Sequence, residues 1–126
     1  MCFNSGMKKP KEQPIKIIQL NVFPYDVMVS FGNSVEEIKK ELTKYKVELD
    51  EETEGYLKKS GVAHTVKLPN RAVLIYFVEK PTYGVIAHEA FHAVWMILAT
   101  MGVEPSVESE EVYAYMVEYL VNEILK

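Results

Sequence analysis

The sequence predicts a single α+β domain. Three observations carry that expectation: two pairs of short β-rich runs, each split by a turn signal; a capped helical segment between the pairs; and two helical segments that close the chain. With 126 residues and a mass of 14.5 kDa, the chain has material for one core and not for two.

Residues 1–14 are polar, carry Lys8, Lys9 and Lys11, and are expected to form a flexible lead-in to a domain spanning residues 15–126. Residues 15–23 (IKIIQLNVF) are rich in β-branched side chains and read as a strand. Pro24, Tyr25 and Asp26 punctuate it, and residues 27–31 (VMVSF) read as its hairpin partner. Ser34 to Glu37 fits a capping box, in which the serine accepts from a free amide and the glutamate reaches back. Val35, Ile38, Leu42 and Tyr45 then share one face of the helix opened by that box. Residues 51–59 suggest a short polar helix that stops before Gly61. Residues 62–68 and 72–78 form a second strand pair across Pro69, Asn70 and Arg71. The latter, AVLIYFV, is apolar on both faces, which suits a central strand or an edge strand open to an extended peptide. Pro81 and Thr82 open a long apolar helix that ends at Gly102, and a last helix covers residues 109–125 after a loop with Pro105.

Composition excludes several function classes. Hydrophobic residues at 48% and charged residues at 25% describe an ordinary globular domain. A formal net charge of −4 argues against nucleic-acid binding, which needs a basic face. Cys2 is the lone cysteine, so neither an intrachain disulfide nor a cysteine-based zinc knuckle is available. The first residues lack the apolar stretch of a signal peptide, and the expected location is cytoplasmic. The run from 85 to 101 is apolar enough to suggest a membrane span. It is short for one, however, and carries His88, Glu89 and His92 in its first half, so a buried core helix is expected and no membrane partner.

That helix contains His88-Glu89-Ala90-Phe91-His92. Residues four apart share a helix face, so both imidazoles can converge on one ion. Glu89 is offset by one position, where it misses the ion yet reaches a water beside it. The chance of this spacing arising at random in such a chain is on the order of 0.01. The bland alternative, three helix side chains satisfied by hydrogen bonds in a core, requires burying three polar groups. The expected cofactor is therefore Zn2+. Catalytic zinc needs a third protein ligand and an open position for water. His64, in a strand, is one candidate; the acidic run Glu108-Ser109-Glu110-Glu111, brought back by the turn at residues 102–105, is the stronger one. Acidic side chains also suit a first helical turn without any metal. Trp95 and Met96, further along the same helix, are expected in the core.

The motif and the helix after it resemble the gluzincins, zinc peptidases with H-E-x-x-H and a glutamate on the next helix, about twenty residues on, in the pattern E-x-x-A-D. Glu111 lies nineteen positions after His92, and Glu111-Val-Tyr-Ala114-Tyr115 matches E-x-x-A with tyrosine in the final place. The chain is also similar to short H-E-x-x-H proteins of phages and prophages. The resemblance covers the segment from Thr82 onward. It implies a minimal zincin-like fold, His88, His92 and Glu111 as zinc ligands, and Glu89 as general base. Tyr115 departs from the family aspartate, and a phenol there is assigned to the oxyanion or to orienting a ligand; Tyr83 is a further oxyanion candidate. Helix periodicity favours Glu110 instead of Glu111, because Glu110, Ala114, Val117 and Val121 form an apolar-facing stripe while Glu111 aligns with Tyr115, Glu118 and Asn122. The expected function is hydrolysis of a peptide or protein substrate. The rival is a zincin-like module that binds a partner without turnover. A purely structural zinc would need four protein ligands. Oligomeric state and substrate are not encoded in these patterns.

Overall fold

The computed structural model describes residues 14–20, 22–58 and 61–126. The expected lead-in therefore lies outside the described residues, apart from Pro14, as does Lys59 at the end of the expected polar helix. The elements are β1 (Lys16–Gln19), β2 (Asp26–Phe31), α1 (Val35–Thr43), α2 (Glu51–Leu57), β3 (Ala63–Leu68), β4 (Ala72–Phe77), α3 (Tyr83–Thr100) and α4 (Glu110–Leu125). This is the α+β domain that the order of patterns predicts.

Both strand pairs form, but β1 ends at Gln19 rather than at the expected Phe23, and Asp26, expected in the turn, opens β2. The sheet order is β1-β2-β4-β3, with β1 and β2 antiparallel, β3 and β4 antiparallel, and β2 parallel to β4. β4 is thus a central strand, and every one of its residues is buried. Its two-sided apolar sequence has a direct cause, because helices cover both faces of the sheet. On one face Val27, Val29, Val73, Ile75 and Phe77 pack with Ile86, Ala90, Val94 and Ile97 of α3 and with Leu120 and Ile124 of α4. On the other, Met28, Val66, Leu74 and Tyr76 pack with Ile38 and Leu42 of α1 and with Leu57 of α2. β3 is the edge strand beside β4, and strict side-chain alternation decides which of its residues meets which helix layer.

Local signals set the helix ends. The capping box forms as its sequence predicts: the Ser34 hydroxyl accepts from the Glu37 amide at 3.1 Å, and the Glu37 carboxylate accepts from the Ser34 amide at 2.8 Å. Thr82 caps α3 in the same manner by accepting from the Val85 amide. α3 stops in a Schellman turn. Gly102, at φ 84°, donates to the Ala99 carbonyl, and Val103 donates to the Leu98 carbonyl at 2.8 Å. That turn returns the chain so that α4 packs on α3, and the far end of α4 is tied to β1 by the Lys16 ammonium, which donates to the Glu123 carbonyl at 3.0 Å. No helix among the described residues is long and apolar enough to cross a membrane.

Candidate metal centre

α3 buries Ile86, Glu89, Ala90, Ala93, Val94, Ile97 and Leu98. Its opposite face carries His88, Phe91, His92 and Trp95, all exposed. The four-residue spacing brings the two imidazoles together as the sequence predicts, with Nε2 of His88 and Nε2 of His92 3.2 Å apart and the rings inclined at 74°. Two nitrogens bound to one tetrahedral zinc, each about 2.05 Å from it, stand about 3.3 Å apart. The pair therefore has the span of two ligands, while in the absence of a cation one ring donates and the other accepts.

Glu89 sits a third of a turn round the helix, in the interface with β3, and is 7% exposed. The Thr65 hydroxyl donates to its carboxylate Oε1 and lies 3.3 Å from its backbone carbonyl oxygen. His88 and Glu89 share one open pocket of about 480 Å³ with Val62, Ala63, Thr82, Gly84 and Val85. The one sealed side-chain atom lacking a hydrogen-bond partner among the described residues is Nε2 of His64. The second carboxylate oxygen of Glu89 is therefore not sealed, and Glu89 is one of the residues that line this pocket.

The other expected participants lie elsewhere. Among the described residues, no three His, Cys, Asp or Glu side chains form a group able to hold an ion. Glu111 is exposed on α4 and does not join the histidines. The phase of α4 differs from the expected stripe: Tyr113, Leu120 and Ile124 are its buried residues, while Ala114 is exposed. The larger apolar side chains gain more from burial and set the rotation. Glu110, although exposed, lines a groove of about 320 Å³ with Phe91, Trp95, Pro105, Ser106, Val107 and Tyr113, next to the histidine face. Tyr115 is 65% exposed and lines a separate cavity with Leu20, Val22, Phe23, Met116 and Tyr119, so it is not brought to Glu89. Tyr83 is exposed at the start of α3. His64 points to the opposite face of the sheet from Thr65 and packs against Tyr56 with ring centroids 4.7 Å apart. Alternation along β3 thus separates it from the pair.

Two features escape the sequence reading. Thr65 supports Glu89 across a separation that no local pattern signals. Trp95, expected in the core, is 45% exposed and forms a groove wall with Phe91, their ring centroids 5.7 Å apart. The apolarity of α3 on nearly all sides hides which face is covered. Compared with protein families, with curated proteins and with solved structures, the chain matches none.

Proposed function

We propose that this protein is a zinc-dependent hydrolase acting on peptide bonds in the cytoplasm. The observation that carries the reading is the 3.2 Å approach of the His88 and His92 Nε2 atoms on an open helix face, with the Glu89 carboxylate in the adjoining pocket. His88 and His92 would hold the ion. Zinc in such a position acidifies water and polarises a carbonyl. Glu89 is the general base: its solvent-facing oxygen takes the proton of the attacking water and passes it to the leaving nitrogen as the C–N bond breaks. Among the described residues, the outer edge of β3 has no neighbouring strand, and Val62 and Ala63 at its start line the same pocket. An extended peptide paired along that edge would run past Glu89. A carboxylate from the first turn of α4 is proposed to complete the ligand set. The family resemblance nominates Glu111; the shared groove with Phe91 and Trp95 favours Glu110.

Metal analysis of the purified protein is expected to give about one zinc per chain, lost in His88→Ala. Glu89→Gln is expected to keep the zinc and to lower turnover of a peptide library by at least about 100-fold. Wild-type protein that cleaves no peptide overturns the hydrolase reading, and protein that also retains no zinc overturns the metal site. A second reading, a zincin-like domain that binds a partner without turnover, is favoured by the absence of a three-donor group among the described residues. It expects wild type and Glu89→Gln to bind a partner equally and to cleave nothing.

A further inference from the structure

A carboxylate removed from water needs donors, and Glu89 is 7% exposed. Among the described residues the one side chain hydrogen-bonded to it is Thr65. Thr65 is itself buried, in the middle of β3 and opposite Ile75 of the central strand. A β-branched side chain on a paired strand has little freedom about χ1, so its hydroxyl points in a fixed direction. The hydroxyl carries one hydrogen. It gives that hydrogen to Oε1 and lies at the limit of hydrogen-bond distance, 3.3 Å, from the carbonyl oxygen of the same glutamate. One rigid group therefore meets Glu89 at both its backbone and its tip. A glutamate has several rotatable bonds, and without such a contact its carboxylate would sample several positions in the pocket.

We propose that Thr65 is the positioning residue of Glu89: it occupies one carboxylate oxygen and thereby presents the other to the pocket shared with His88. The inference deepens the hydrolase reading and rests on it for its catalytic meaning. Thr65 touches neither the proposed ion nor the substrate bond, and its effect is carried entirely by the glutamate. The contact also joins the edge strand, the proposed track for substrate, to the motif helix.

Thr65→Val keeps the shape of the side chain and removes the hydroxyl; Thr65→Ser keeps the hydroxyl. The valine variant is expected to lose kcat by roughly 10- to 100-fold, with KM within about twofold of wild type and zinc content unchanged. The serine variant is expected to recover most of the loss. A second readout needs neither metal nor substrate. In metal-free protein, three-bond NMR couplings of Glu89 are expected to report one rotamer in wild type and Thr65→Ser, and averaged rotamers in Thr65→Val. Should the valine variant fail to fold, Thr65→Ala provides the same comparison. A single unchanged rotamer in the hydroxyl-free variants overturns the proposal, as does a kcat loss that serine does not restore. If wild type cleaves nothing, the hydrolase reading fails by itself, and the couplings still decide whether Thr65 fixes the glutamate.

Discussion

The two histidines and the glutamate of α3 divide their environments sharply although they are sequence neighbours. His88 and His92 face solvent, whereas Glu89 is buried against β3. A helix rotates each residue by about 100° from the last, so one position separates an open face from a strand interface. The same rotation decides between the carboxylates of α4. Glu110 shares a groove with Phe91 and Trp95, and Glu111 does not. Glu110→Gln is therefore expected to weaken zinc binding by at least about tenfold, and Glu111→Gln to leave it within about twofold. Competition titration with a chelator measures both, and a larger loss in Glu111→Gln would restore the ligand set that the family resemblance implies. The histidine pair was legible in the sequence because a four-residue spacing on a helix fixes a shared face. Thr65 was not, because it meets Glu89 across 24 positions of chain, a contact made only when β3 docks on α3.

At the scale of elements, short-range signals translated well and rotational phase translated poorly. Ser34 and Glu37 form their capping box because both partners lie within one turn. Ser34→Ala is expected to cost about 1 kcal/mol, readable as a lowered denaturant midpoint. The end of α1 carries strain that the sequence did not announce. Lys46 takes φ 59° in a Schellman turn, donating to the Thr43 carbonyl while Val47 donates to that of Leu42. Glycine adopts that conformation without steric cost, so Lys46→Gly is expected to raise stability by about 1 kcal/mol; an unchanged midpoint would refute this. In α2, the Thr53 backbone amide and then its side chain hold the Asp50 carboxyl below its ordinary 3.8. Hydrogen bonds from Lys58 and then Lys39 hold Glu54 below 4.5. A depressed folded pKa stabilises fully above the unfolded value and loses its effect as pH falls through the folded one. Amide protection in residues 51–57 is therefore expected to fall below pH 4.5 ahead of protection in β4, and simultaneous loss in both would contradict it. For α4, the periodicity placed Glu110, Ala114, Val117 and Val121 on the covered face. Burial instead turns Tyr113, Leu120 and Ile124 inward, a phase set by docking against α3 and the sheet.

At the scale of the whole molecule, the sheet divides the core into two clusters, and α3 belongs to one of them while carrying the proposed ligands on its outer side. The α+β class was legible in the order of the patterns, and β4 was legible as a well-covered strand because its sequence is apolar on both faces. Whether β4 was central or at the edge was not, because its sequence is equally apolar in both cases. A ligand that binds only the folded state stabilises it by mass action. The histidine pair is proposed to be such a site, because the 3.2 Å span exists only while residues 88–92 are helical. With free zinc at about 100 times Kd, the gain is about 2.7 kcal/mol, which in a domain of this size raises Tm by about 10 °C. His88→Ala, which leaves the buried face of α3 intact, is expected to unfold near the metal-free wild-type temperature and to show no zinc response. Glu89→Gln should keep the full response, because the glutamate is proposed to act on water rather than on the ion. A zinc-induced rise of equal size in His88→Ala would locate the binding elsewhere and remove the physical basis for assigning chemistry to this helix.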